Sequence, residues 1–152
     1  GIPKLTWEQM TEMKKAGMSF YSHTYDSHRY GPTDSDGQEG AVLSHPLYLE
    51  NEGRMETRTE YVRRISDDLA LAERRLKEEL SNARGIVAFP YGEYDQEDLM
   101  KVLQALGIEL TFTIQPGINT RSDRLGHRID AGSAYQTPEK LIVQLKALND
   151  AP

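Results

Sequence analysis

Gly85-Ile86-Val87-Ala88-Phe89-Pro90-Tyr91-Gly92 is an unbroken apolar segment that runs into a turn. Apolar residues without alternation suit a strand covered on both faces, as in parallel sheets. Pro90 and Gly92 stop it. A helix is predicted on each side. Upstream, Val62, Ile65, Leu69, Ala72, Leu76 and Leu80 recur at spacings of three and four behind Thr57, with Glu60 in capping-box register. The opposite face carries Arg63, Arg64, Asp67, Asp68, Glu73, Arg74, Lys77 and Glu78, a mixture of signs that predicts a solvated face. Downstream, Asp95 is the expected cap of another helix. Leu99, Val102, Leu103 and Leu106 face inward there, and Gly107 ends it. Residues 110–114 form the next strand. Helices alternating with strands imply parallel strands joined by helical crossovers, an α/β fold.

Working outward, Thr6 and Gln9 form a second capping box, and Leu5, Trp7, Met10 and Met13 supply an apolar face ended by Gly17. Residues 18–21 read as a short buried strand. It leads directly into Ser22-His23-Thr24-Tyr25-Asp26-Ser27-His28, which holds two of the four histidines. Residues 29–56 are rich in Gly, Pro, Asp and Asn and read as a long loop or flap. Its apolar patch, His45-Pro46-Leu47-Tyr48-Leu49, is expected to pack back on the body. Near the other end, Arg128-Ile129-Asp130 reads as a short strand. Thr137-Pro138 opens a last helix with Leu141, Ile142, Leu145 and Leu148 as its buried face.

In parallel α/β folds, sites form beyond the carboxyl ends of the strands. His23 follows one strand and Pro90 the next, so His23, His28, Tyr91 and Gly92 are expected around one opening. Neutral imidazoles suit zinc and similar divalent ions. A catalytic site commonly adds a third protein ligand and leaves a position for water. Ser22 and Thr24 are expected behind the histidines, orienting them; Asp26 could do likewise or serve as a ligand, the tight loop favouring the orienting role. The plainer alternative makes His23 and His28 loop residues that bond backbone. In the Pro90-Tyr91-Gly92 turn, the Tyr91 N–H is a candidate oxyanion donor, with Pro90, Tyr91 and Gly92 lining the substrate groove. Here too a simple strand-ending turn is the alternative.

Composition narrows the classes without choosing among them. The chain has 152 residues, 38% of them hydrophobic, and a formal charge of -6. That is enough for one domain, and no basic stripe points to nucleic acid. Without cysteine there is neither a disulfide framework nor a thiolate metal site. No apolar run approaches a membrane span. The opening Gly-Ile-Pro-Lys, without an initiator Met, suggests a processed chain or a part of a longer one.

These stretches resemble the polysaccharide deacetylases with NodB homology, carbohydrate esterase family 4, and in particular the branch acting on poly-β-1,6-N-acetylglucosamine. Ser22 to His28 is similar to that branch's metal-binding histidine motif. Phe89-Pro90-Tyr91-Gly92 is similar to the family's third motif. Residues 112–119 and Arg128-Ile129 also resemble the branch, so the likeness runs from about Leu5 to Ile129.

The resemblance implies a distorted (β/α) barrel and metal-assisted hydrolysis of an acetamide. An Asp-His-His set would bind the ion, with zinc expected and cobalt or nickel as alternatives. His23 and His28 become metal ligands and Tyr91 the oxyanion donor. The family's Asp-Asp pair has no counterpart at a strand end. The one Asp-Asp here, Asp67-Asp68, lies within the long helix. Third ligand and base are therefore absent. Val87 stands where the family often has arginine. Leu125-Gly126-His127 has the family's Leu-x-His form, but His127 is placed ahead of the 128–130 strand, on the opposite rim. His45, in the flap, is expected to pack or be solvated.

Four strands are too few to close a barrel of about seven or eight. The expectation is therefore a partial (β/α) barrel over residues 1–152, the carboxyl-terminal part of a deacetylase domain. Its substrate would be an N-acetylated polysaccharide, its location extracellular or at the cell surface. Exposed sheet edges would favour self-association or pairing with a missing amino-terminal segment. The competing expectation is a catalytically incomplete carbohydrate-binding or structural domain on the same scaffold.

Overall fold

Two capping boxes set the starts of the first two helices. Thr6 accepts from the Gln9 N–H and the Gln9 side chain accepts from the Thr6 N–H, opening α1 (Trp7–Lys15). Thr57 and Glu60 do the same for α2 (Arg58–Leu80). The computed structural model describes residues 4–94, 97–129, 131–132 and 135–149.

Between these helices lie two short antiparallel ladders, β1 (Tyr30–Pro32) with β2 (Glu39–Ala41) and β3 (Tyr48–Leu49) with β4 (Arg54–Met55). Then follow β5 (Gly85–Ala88), α3 (Glu97–Ala105), β6 (Ile108–Phe112), β7 (Leu125–Gly126) and α4 (Pro138–Asn149). Strands β5, β6 and β7 form one parallel sheet in that order, with Ala88, Phe112 and Gly126 in one row. The α/β alternation with parallel strands and helical crossovers is thus as the sequence implies, and it forms part of a barrel wall. Asp95, the expected cap of α3, lies outside the described residues, as does Asp130.

The core sits where α2 and α3 meet the sheet. Ile65 and Leu69 from α2, Val87 and Phe89 from β5 and Leu99 from α3 are fully buried, with Leu43, Tyr61, Val102 and Leu103 around them. Each large aliphatic side chain buried in this way contributes about 2 kcal/mol. Tyr61 belongs to the α2 stripe although it is not aliphatic. Its hydroxyl donates to the Leu43 carbonyl at 3.0 Å.

Four expectations change. Residues 18–21 are not a buried strand. Only Ser22 bridges Val87, in parallel, through Ser22 N–H to Ile86 O (3.1 Å) and Ala88 N–H to Ser22 O (3.0 Å). Met18 and Tyr21 are about half exposed, because residues 18–21 themselves make no strand pairing. Residues 29–56 are not plain loop, and their anchor is Ala41-Val42-Leu43-Ser44, fully buried, with the 45–49 patch only half-buried beside it. Arg64 is no solvated charge. It pairs with Glu56 (2.7 Å) and donates to the carbonyls of Val42 and His45, tying the segment to α2. On α4, Ile142, Val143 and Leu145 are exposed, since no described element covers that face.

Candidate active site

Ser22 pairs with Val87, so His23 stands level with Ala88 at the carboxyl end of β5. Its Nδ1 lies 2.7 Å from the Ala88 carbonyl. A carbonyl only accepts, so Nδ1 carries the proton and Nε2 keeps its lone pair free. His28 returns to the same place, its ring centroid 4.4 Å from that of His23, edge to face. His28 is exposed at the surface, yet the packing around its ring, and secondarily the adjacent His23, hold its imidazole below the usual histidine range. The His28 ring is thus suited to presenting a nitrogen lone pair at neutral pH.

The Tyr91 ring completes the contact between the two loops. It lies 4.9 Å from His28 and 4.3 Å from Tyr30 of β1. Four rings therefore line up as His23, His28, Tyr91 and Tyr30. Tyr30 carries no signal in the sequence, since it comes from an irregular-looking stretch. Tyr91 adopts φ 57°, ψ 3° and Gly92 φ 75°. Left-handed backbone costs a non-glycine residue about 1–2 kcal/mol. Such strain persists only where surroundings over-determine it. Gly92 is further required by packing, since a Cβ there would sit 2.4 Å from Ile114 Cγ1. Pro90 is fully buried. It shapes the turn and is not free to line a groove, whereas Tyr91 and Gly92 are half-buried at the rim.

The residues between the histidines are braced differently from expectation. Ser22 Oγ accepts from the Thr24 N–H (3.1 Å), and Thr24 Oγ1 accepts from the Ser27 N–H (3.2 Å). The hydroxyls hold backbone and do not touch the imidazoles. Asp26 turns its carboxylate outward to Arg29 (3.4 Å), with 75% of its side chain exposed, so it does not stand behind a histidine. Thr24 has φ 73°, rare for a β-branched residue. The loop is instead fastened by Asp68, from the helix face read as solvated. The Asp68 carboxylate accepts from Tyr25 N–H, Asp26 N–H and Ser27 Oγ–H, each at 2.8 Å.

His127 is a correction. Strand β7 ends at Gly126, so His127 follows its strand and lies on the same rim as His23 and Pro90. The strand is formed by residues 125–126; residues 128–129 are not part of it, and Asp130 lies outside the described residues. Asn119 brackets the His127 backbone, accepting from its N–H (2.6 Å) and donating to its carbonyl (3.0 Å). Its Nδ1 is buried without a hydrogen-bond partner. With neighbouring strands about 4.8 Å apart, β7 lies about 14 Å along the sheet from the Ser22 bridge. Among the described residues His127 does not make up a group of three with the His23–His28 pair that could hold an ion. His45 half-packs beside Ser44 and Glu93, its Nδ1 3.5 Å from Glu93 Oε2.

The two imidazoles could offer two donors to a divalent ion, with the His23 tautomer set by a backbone carbonyl. Among the described residues no group of three His, Cys, Asp or Glu side chains could hold such an ion. A cleft of about 840 Å³ lies between α3 and β6 and includes neither histidine nor Tyr91. No helix among the described residues is long and apolar enough to cross a membrane.

A family model described as polysaccharide deacetylase matches residues 3–111. None of the curated proteins matches the chain. Among solved structures, the BpsB deacetylase domain from Bordetella bronchiseptica aligns with TM-score 0.76 and 28% identity, over 82% of this chain and 48% of that one. IcaB from Ammonifex degensii aligns with TM-score 0.65 and 26% identity, over 96% and 53%. A de-N-acetylase from Aggregatibacter actinomycetemcomitans aligns with TM-score 0.79 over 92% and 53%; at 24% identity it supports the fold alone. The chain spans about half the length of these structures.

Proposed function

The chain belongs to the polysaccharide deacetylase family, and on that premise we propose that it serves the hydrolytic removal of N-acetyl groups from an N-acetylglucosamine polymer outside the cell or at its surface. The observation that carries this reading is the convergence of His23 and His28, rings 4.4 Å apart, beside the strained Tyr91 turn. His23, through Nε2, and His28 would hold a divalent cation, zinc or else cobalt or nickel. Bound there, such an ion supplies Lewis acidity toward the acetamide carbonyl and toward water.

The chain's own residues do the rest. The Ala88 carbonyl keeps the proton of His23 on Nδ1 and away from the ligand position. The Tyr91 N–H donates to the oxyanion as the carbonyl carbon becomes tetrahedral, and the turn angle that exposes it is set before substrate arrives. Tyr91 and Gly92 form one wall of the groove, and the Tyr91 ring keeps His28 from swinging out. The third, carboxylate ligand and the general base come from residues other than those described, these being the carboxyl-terminal part of a deacetylase domain. Both the share of each solved relative that the chain spans and the two-donor site support that part of the reading.

The test is acetate release from N-acetylglucosamine oligomers by the full-length protein, with metal content measured in parallel. His23→Ala and His28→Ala each abolish both. Activity that survives both substitutions sinks the mechanism. A second reading, a carbohydrate-binding domain without catalysis, is favoured by the lack of a third donor among the described residues. It predicts that the full-length protein binds the oligomer, releases no acetate and loses zinc on dialysis.

A further inference from the structure

We propose that Asp68 is a positioning residue for the His23–His28 pair, a role that rests on the metal reading above. Only four residues separate the two histidines, and three donors within that short link converge on this one carboxylate. Tyr25 N–H donates to Oδ2; Asp26 N–H and Ser27 Oγ–H donate to Oδ1; all three distances are 2.8 Å. Hydrogen bonds to an ionised carboxylate are about twice as strong as neutral ones.

The anchor is rigid. Asp68 precedes Leu69, which is fully buried, on a helix that packs against α1 and α3. The clamp also accounts for the backbone of Thr24. A β-branched residue at φ 73° relaxes unless held from both sides. Ser22 Oγ holds the Thr24 N–H, and Asp68 holds the residues that follow. A carboxylate offers about four lone-pair sites, and three are taken here. Asp68 is not itself the missing ligand, since no third His, Cys, Asp or Glu among the described residues joins the two histidines in a group that could hold an ion. It fixes the span between the two imidazoles, so that the pair meets an ion without first ordering the loop.

The experiment uses the full-length protein as Asp68→Asn, with Asp67→Asn as the control. Asp67 is 76% exposed and pairs only loosely with Arg63, at 3.7 Å. Asparagine keeps the volume and one acceptor oxygen but faces the Tyr25 N–H with a donor. Two readouts are taken: cobalt affinity by chelator competition, and amide exchange of Tyr25 and Asp26 in the metal-free protein. Cobalt affinity is expected to fall about 10- to 100-fold in Asp68→Asn, the usual cost of losing a group that orients ligands. Exchange of both amides is expected to accelerate at least about tenfold, with the control unchanged in both.

Faster exchange with unchanged affinity overturns the positioning role, as does no change in either. If His23→Ala binds cobalt as tightly as wild type, the metal reading fails, and the positioning role with it. The His23→Ala arm therefore separates the two failures. If Asp68→Asn does not fold, Ser27→Ala removes one of the three contacts and is read by the same two measurements: a smaller fall in affinity with faster exchange is expected, and unchanged affinity overturns the role.

Discussion

The two loops that meet at the rim are fastened by opposite means. The histidine loop, residues 22–28, is held by side chains: Ser22, Thr24 and, from a distant helix, Asp68. The Pro90-Tyr91-Gly92 loop is held by its own backbone, with two successive left-handed residues and a glycine pressed against Ile114. A loop built from backbone torsions tolerates few substitutions within itself. A loop built from borrowed hydrogen bonds can be loosened from 41 to 43 residues away without altering its own sequence. The difference matters for function, because the first loop carries the nitrogen atoms and the second carries the N–H.

The strongest break in this comparison is Gly92→Ala. The added Cβ meets the body of Ile114, not a flexible tip, and must also adopt φ 75°. Left-handed strain and overpacking together are expected to cost about 3 kcal/mol, seen as a lowered Tm. Equal stability of the variant and wild type would remove the claim that this loop is fixed by backbone.

The next largest effect concerns the segment that brings Tyr30 to Tyr91. Glu56→Gln breaks its tie to Arg64, whose pair is largely buried on the Glu56 side, with 6% of that side chain exposed. A loss of about 2 kcal/mol is expected at neutral pH, measured by urea unfolding. Burial pushes the Glu56 carboxyl up, but the Arg64 guanidinium and the Leu47 N–H outweigh it and hold it below the usual carboxylate range. Its contribution is thus complete above the unfolded-state value and is lost as pH falls through the folded-state value. Wild type should lose stability in acid more steeply than Glu56→Gln.

Smaller effects sharpen the histidine side. Ser27 is 2% exposed, and Ser27→Ala removes one donor from the Asp68 clamp while leaving two. About 1 kcal/mol is expected, with a loss of cobalt affinity smaller than in Asp68→Asn. Tyr61→Phe tests the neighbouring anchor at Leu43. Burial pushes the Tyr61 phenol up to about 12. Between about 10 and 12 the unfolded chain ionises while the folded one does not, so stability falls as pH rises through that window. Tyr61→Phe is expected to flatten this alkaline limb and to cost about 1 kcal/mol at neutral pH.

Much of this was legible in the residues themselves. Thr6 with Gln9 and Thr57 with Glu60 are local signals, and both caps form. The β5 run and the α2 stripe are legible because burial on a regular element leaves a period. What was not legible depends on partners far along the chain. Asp68 looks like any charge on a solvated helix face, and nothing near it in sequence announces three donors from residues 25–27. Residues 18–21 are apolar enough for a buried strand, yet only Ser22, just after them, bridges β5. Strand β7 is two residues long and ends in glycine, too short to carry alternation, so the sequence pattern alone puts His127 on the wrong rim. The apolar side of α4 has the right spacing but no described neighbour to cover it.

The central claim is that His23 and His28 bind one divalent ion at the rim. Anomalous diffraction at the zinc edge, from crystals of the full-length protein, tests it most directly. The account predicts a single strong peak shared by His23 Nε2 and the His28 imidazole, beside the Tyr91 turn. A crystal grown with zinc that shows no peak between the two rings would contradict it.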